Sequence, residues 1–234
     1  MSVSETSIEK GTAVTGAVPM WSRIIAKSLC YARQSLPPGS RVIEVGYGDG
    51  KLSCYLAQEL GWRITGYDVL AQARDQAVDY AQQVGVENNV DFHVVSPDET
   101  WNLRGEYDGV FIKTVLYNAK SLEEYAAWLD WVGSVLKHQG IFVNYENGKA
   151  NFLTKLYRRL RRRYYADLCM YDDEIHRLYE ERFHLLHVGH YGAVSQFIAP
   201  FKWPFLIVAN VEERFFIRKA GNSFITALVG RKMD

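Results

Sequence analysis

The stretch Arg41-Val42-Ile43-Glu44-Val45-Gly46-Tyr47-Gly48-Asp49-Gly50 decides the fold. Val42, Ile43 and Val45 form a short apolar run of the kind carried by a strand buried on both faces. Three glycines at alternate positions then bend the chain. A residue without Cβ turns tightly and lets another molecule lie against backbone. Leu52, Tyr55, Leu56 and Leu60 recur at helical spacing behind the bend, and Gly61 ends that helix. Strand, glycine bend and helix together open an α/β unit, and open α/β sheets bind ligands beyond the carboxyl ends of their strands.

Working outward, the alternation continues. Arg63 to Tyr67 reads as a second strand closed by Asp68, and 71–83 as a helix. Val90 to Val95, Tyr107 to Ile112 and Ile141 to Tyr145 read as further strands, with a helix over Leu122 to Leu136. Five strands separated by helix-length segments imply right-handed crossovers and a parallel sheet. Upstream, Trp21, Ile24, Ile25, Leu29 and Ala32 predict a helix over Met20 to Ser35, stopped by Pro37-Pro38-Gly39.

Past Asn147 the pattern changes. Residues 151–183 read as one or two helices with no strand between them. His187 to Ile198 and Ser223 to Lys232 are strand-like and are expected to finish the sheet as an antiparallel pair. The expected architecture is a doubly wound, seven-stranded α/β sheet, mostly parallel with an antiparallel last strand, plus a helical insertion after strand five. Residues 1–17, rich in Ser, Thr, Gly and Glu, are expected to form a tail. Residues 18–234 then make a single domain, with 151–185 as a helical lid.

Composition agrees with one core. The chain has 234 residues, 48% of them hydrophobic, enough for one domain and too few for two large ones. Lys plus Arg and Asp plus Glu balance at 27 each, so nothing in the net charge favours nucleic acid as a partner. Three separated cysteines make neither a metal signature nor a disulfide framework, which fits a reducing cytoplasm. No apolar stretch reaches the roughly 18–20 residues of a transmembrane segment, and the polar start has no signal-peptide core.

The charges around the glycine bend discriminate between ligands. An acid at the end of strand two, Asp68, can accept both hydroxyls of a ribose. A dinucleotide would add a pyrophosphate at the helix N-terminus and a G-x-G-x-x-G loop. Here the spacing is G-x-G-x-G, and Glu44 and Asp49 would repel phosphates. The same acids attract a nucleoside that carries a sulfonium and an ammonium. These residues resemble the class I S-adenosylmethionine-dependent methyltransferase family. The likeness rests on the strand ending E-V-G-x-G-x-G, the acid Asp68, Pro97-Asp98 after strand three, Tyr107 to Phe111 as strand four, and Leu136-Lys137-His138-Gln139-Gly140, similar to the family's L-K-P-G-G turn. It spans about residues 38–150. His138-Gln139 departs from that turn and is expected to alter its stiffness more than the chemistry.

The resemblance implies S-adenosylmethionine as cofactor and assigns roles. Gly46, Gly48 and Gly50, with Tyr47 between them, wrap the methionine part; Glu44 and Asp49 serve its ammonium. Asp68 holds the ribose diol, Val69 packs on adenine, and Pro97, Asp98 and Glu99 grip the ring and its amino group. Asp98 has an equal reading as a helix N-cap before Trp101. Lys113 meets the donor carboxylate. Candidate bases for an O- or N-acceptor are Tyr117 and Glu146 beyond strands four and five, and His187 beside the last strands; each also reads as an ordinary structural or surface group. The His184, His187 and His190 spacing invites a metal, but three-residue steps suit a helix and this stretch turns strand-like, so no metal site is assigned.

Lys155 to Arg163 holds six basic residues in nine, leaving 21 basic against 27 acidic residues elsewhere. Phe152, Leu156, Tyr157, Leu160 and Tyr164 make an apolar stripe beside them. Arg158, Arg159, Arg161, Arg162 and Arg163 then read as a solvated face, a homodimer contact, or a lid for an anionic acceptor. Phe201 to Phe205 reads as an aromatic loop over the cleft. The leading expectation is a methyltransferase acting on a small-molecule acceptor. The alternatives are a glycan, a lipid headgroup or another large anionic acceptor, or a donor-binding regulatory protein without catalysis.

Overall fold

The computed structural model describes residues 19–96, 107–148, 171–192, 202–215 and 223–233. The elements run α1 (Pro19–Ala32), β1 (Arg41–Val45), α2 (Lys51–Leu60), β2 (Arg63–Asp68), α3 (Ala71–Val84), β3 (Val90–Val94), β4 (Tyr107–Lys113), α4 (Leu122–Val135), β5 (Leu136–Asn147), α5 (Asp173–Glu180), β6 (Phe183–Tyr191), α6 (Lys202–Phe215) and β7 (Ile225–Lys232). A 3₁₀ turn over Leu116–Asn118 follows β4. The seven strands form one sheet in the order β3-β2-β1-β4-β5-β7-β6. The pairs from β3 to β5 are parallel, and β7 runs antiparallel to both β5 and β6. The order reverses between β1 and β4, which places the switch point where the glycine bend leaves the sheet.

Apolar side chains cover both faces, as the continuous runs in β1 and β4 require. On one face Val42, Phe111 and Val143 meet Ile24, Ile25 and Leu29 of α1 and Leu52 and Leu56 of α2. On the other, Ile43, Val110 and Phe142 meet Tyr125, Leu129 and Val132 of α4 and Ile175 and Tyr179 of α5. Local signals set the ends. Gly61 closes α2 in a left-handed conformation and its N–H returns to Ala57 O. Ser121 caps α4 by accepting from Glu124 N, and Asp172 caps α5 by accepting from Glu174 N and Ile175 N.

Three expectations are corrected. The sixth strand starts at Phe183 rather than His187, because its pairing with β7 begins at Phe183 opposite Lys232, and residues 193–198 of the expected span lie outside the described residues. Phe201 to Phe205 is not wholly a loop. α6 begins at Lys202, and Pro204 sits in its first turn, where a missing N–H costs no hydrogen bond. The fifth strand starts at Leu136, directly after α4, and runs to Asn147, well beyond Ile141 to Tyr145. The tail 1–17 and the basic run Lys155 to Arg163 lie outside the described residues. Of the expected lid, α5 and the residues up to Leu185 are described.

Candidate active site

The bend after β1 is held to β2 by backbone. Gly46 N donates to Tyr67 O at 2.8 Å, and Gly48 N donates to Asp68 Oδ2 at 2.9 Å. Asp68 Oδ1 accepts from Leu70 N at 3.0 Å. Each carboxylate oxygen thus keeps a free lone pair while its position is set. Gly46 has φ 77°, and a Cβ there would stand 2.4 Å from Val115 Cγ2. The bend therefore packs directly on the segment that follows β4. Val69 and Leu70 leave the tip of β2 as an exposed apolar pair beside Asp68, 54% and 62% exposed.

Beneath the bend lies Glu44, fully buried. Its Oε2 accepts from Ser53 Oγ of α2 at 2.5 Å, while Oε1 has no hydrogen-bond partner. Burial pushes the carboxyl up to about 7, against the pull of the Ser53 hydroxyl and the nearby Lys113 ammonium. An enclosed carboxylate oxygen without a donor is costly unless something else supplies one. Lys113 ends β4, with Nζ 5.6 Å from the ring centre of Trp21, which in turn stands edge-on to Tyr145 at 6.0 Å.

The other bend residues face away from one another. Tyr47 turns its ring into the core, 4.7 Å from that of Phe92, so it offers a ligand its backbone rather than its phenol. Asp49 faces solvent and pairs with Lys51 Nζ at 2.7 Å. Gly50 packs against Ala77 and Phe92, where a Cβ would be 2.6 Å from Ala77 Cβ. Pro97, Asp98 and Glu99 lie outside the described residues.

Beyond β4 the chain is strained. Thr114 has φ 54°, a left-handed conformation that costs a side chain about 1–2 kcal/mol. It is held by its N–H to Tyr145 O at 2.8 Å and by its hydroxyl to Lys113 O at 2.7 Å. The 3₁₀ turn that carries the half-buried Tyr117 follows. Behind that turn sits Glu146 near the end of β5, with no solvent exposure. Of its two readings, the surface group does not describe it. Glu146 Oε1 accepts from Asn144 Nδ2 at 3.0 Å, and Oε2 is without a hydrogen-bond partner. Burial pushes its carboxyl up to about 8, opposed by Asn144 and by the backbone of Asn147, Leu116 and Tyr117.

Asn144 Nδ2 also donates to Tyr179 Oη at 2.5 Å, and Tyr179 shares a 2.8 Å hydrogen bond with Tyr125 Oη. Glu146, Thr226 and His190 lie opposite one another across β5, β7 and β6. His190 Nδ1 meets Thr226 Oγ1 at 3.0 Å, and burial pulls the imidazole down to about 4. Asn144, Tyr125, Tyr179 and Thr226 escaped the sequence reading. Two polar residues at i and i+2, Asn144 and Glu146, in an otherwise apolar strand were the available signal.

His187 is not gathered with these groups. It stacks on Tyr31 of α1 at 4.5 Å and meets Tyr191 Oη at 3.2 Å on the edge strand. Strand alternation sends His187 and His190 to opposite faces, and no His, Cys, Asp or Glu group among the described residues could hold a metal ion. No helix among the described residues is long and apolar enough to cross a membrane.

A seven-stranded sheet with this order, a glycine bend at its switch point and an acid closing the second strand define a donor-binding α/β domain. Residues 21–182 match the family described as a methyltransferase domain. The chain belongs to that family: it is a class I S-adenosylmethionine-dependent methyltransferase, and S-adenosylmethionine is its cofactor. No curated protein matches the chain. Solved structures share its fold. The N-methyltransferase NodS from Bradyrhizobium japonicum, in complex with S-adenosyl-L-homocysteine, aligns over 100% of both chains at 14% identity and TM-score 0.63. Magnesium protoporphyrin IX methyltransferase from Synechocystis PCC 6803 aligns over 98% of this chain and 95% of that one at 17% identity and TM-score 0.60. The cyclase SpnF aligns over 96% and 92% at 18% identity and TM-score 0.63, so the fold by itself does not dictate the reaction.

Proposed function

We propose that this chain transfers a methyl group from S-adenosylmethionine to an oxygen or nitrogen of a small-molecule acceptor. The observation that carries the reading is Glu44 Oε1, a buried carboxylate oxygen lacking a partner directly under the glycine bend. A cationic ligand lying on the bend would supply the missing donor, whereas a phosphate would meet repulsion. The donor brings a methyl group already activated on a positively charged sulfur.

The residues then have separable tasks. Glu44 receives the ammonium, directly or through a water. Asp68, already oriented by Gly48 N and Leu70 N, takes the ribose hydroxyls on its free lone pairs. The exposed Val69 and Leu70 give the adenine an apolar support. Lys113 offers a cation to the carboxylate. Methyl transfer is an in-line displacement, so the protein's part is alignment and exclusion of water. An amine acceptor needs only its lone pair; a hydroxyl acceptor must lose its proton, and we assign that role to Tyr117 on the turn beyond β4.

Calorimetry with S-adenosylmethionine and its demethylated product tests this reading. Binding tighter than about millimolar supports it, and no binding at that level overturns it. Asp68→Ala should weaken binding by about 1–3 kcal/mol, roughly five- to 150-fold, through loss of charge-assisted hydrogen bonds. Unchanged affinity would show that Asp68 does not hold the ribose.

A further inference from the structure

The geometry points to Glu146 as a positioning residue: its buried carboxyl group backs the turn after β4 and thereby sets Val115 against Gly46 of the donor bend. This rests on the methyltransferase reading of the same site.

Four observations carry it. First, Glu146 has no solvent exposure, so it cannot take a proton from a bound acceptor without the turn moving away. Second, the backbone of Leu116 and Tyr117 faces the carboxyl group, next to Val115. Third, Val115 Cγ2 occupies the space that a side chain on Gly46 would need, so a displacement of the turn is felt at the bend. Fourth, Thr114, which leads into the turn, is held in a left-handed conformation. Such strain persists only where the surroundings over-determine it.

Burial favours the uncharged form of this carboxyl group over the pull of the Asn144 amide and the turn's backbone. Among the described residues the titratable groups of this network are Tyr117 on the turn, Tyr125 on α4, Tyr179 and His176 on α5, Tyr171 just before α5, and His190 on β6. Among the described residues none of these is a permanent cation. Tyr125 and Tyr179 are both held in their neutral form by burial and by Glu146 itself. An ionised Glu146 would have neutral hydroxyls and amides as company and would draw water toward the turn. Its carboxyl group is raised to about 8, so the neutral form dominates at neutral pH and is lost above that value.

Glu146→Gln and Glu146→Ala test the assignment, read by calorimetric donor Kd from about pH 6.5 to about pH 9.5 and by the split between kcat and acceptor KM. The donor's own amino group titrates in this range, so the informative quantity is the ratio of wild-type Kd to Glu146→Gln Kd. That ratio should stay within about threefold of one at pH ~7 and rise at least about fivefold by pH ~9.5, since the amide cannot ionise. Glu146→Ala should weaken the donor at every pH; if it does not fold, the glutamine ratio decides alone. A flat ratio overturns the proposal. So does a loss of kcat of a hundredfold or more in Glu146→Gln with donor Kd unchanged, which would make the carboxylate a base. A wild-type protein that binds no donor at any pH would overturn the methyltransferase reading instead.

Discussion

Two buried carboxylates divide the molecule into halves that were built differently. Glu44, under the donor bend, has its partner Ser53 nine residues away on the next helix. Glu146, behind the β4 turn, belongs to a network reaching Tyr179, 35 residues after Asn144, and Tyr125, 54 residues before Tyr179. Each acid lacks a partner on one oxygen. At Glu44 the open oxygen lies beneath a bend shaped to admit a ligand; at Glu146 it lies under a strained turn. The half around Glu44 is a contiguous motif of strand, bend and helix. The other half is assembled from α4, α5, β5, β6 and β7.

The largest effect expected falls on the contact where the halves meet. Gly46→Ala puts a side chain at φ 77° and a Cβ 2.4 Å from Val115 Cγ2. The left-handed conformation and the overpacking together should cost about 2–5 kcal/mol in denaturant unfolding. Donor binding should be lost as well. A variant of wild-type stability with intact donor affinity would break the claim that the bend and the turn are docked.

An intermediate effect should separate stability from donor binding. Tyr179→Phe removes the hydroxyl shared by Asn144 and Tyr125 and leaves buried polar groups short of a partner. The expected loss is about 1–3 kcal/mol of stability. Asn144 keeps its bond to Glu146, so donor Kd should move by less than about threefold. Comparable losses in both would show that the two halves are not separable.

pH should separate them too. Glu44 and Glu146 are raised from 4.5 to about 7 and about 8. An acid kept neutral by burial stabilises the fold fully below its unfolded pKa, and that contribution fades as pH rises through the folded value. His190, pulled down from 6.5 to about 4, acts at the other end, with stability present above 6.5 and lost as pH falls toward 4. Both limbs should appear in denaturant midpoints, and Glu146→Gln should flatten the alkaline one.

The same division explains what the sequence made legible. The succession of strands and helices, the bend and the position of Asp68 were readable because glycine spacing and apolar runs act over a few residues. The roles of Tyr125 and Tyr179 were not, because a helical Tyr reads as core until tertiary packing brings its hydroxyl to a partner. Glu146 was read as either a base or a surface group, and its burial was not legible, since strand five extends to Asn147 and encloses it. α6 was missed at Phe201 to Phe205 because Pro204 and the aromatic cluster resemble a turn, and a proline in the first helical turn looks the same.

The smallest effect concerns a site that belongs to neither half. Gln139 stands where the family's L-K-P-G-G turn has glycine, and its φ is 60°. The chain therefore places a side chain in a left-handed conformation that glycine adopts without strain. Relief of that strain by Gln139→Gly is opposed by the greater freedom of glycine in the unfolded chain. The strain is of order 1–2 kcal/mol and the entropic loss of order 0.5–1, so a net gain of about 0–1.5 kcal/mol is expected in denaturant unfolding. Donor affinity should not change, because the turn precedes the buried part of β5 at the opposite end of the strand from Glu146. A loss of stability would mean that Gln139's side-chain contacts outweigh the backbone strain, and that this departure from the family pattern is itself a packing adaptation.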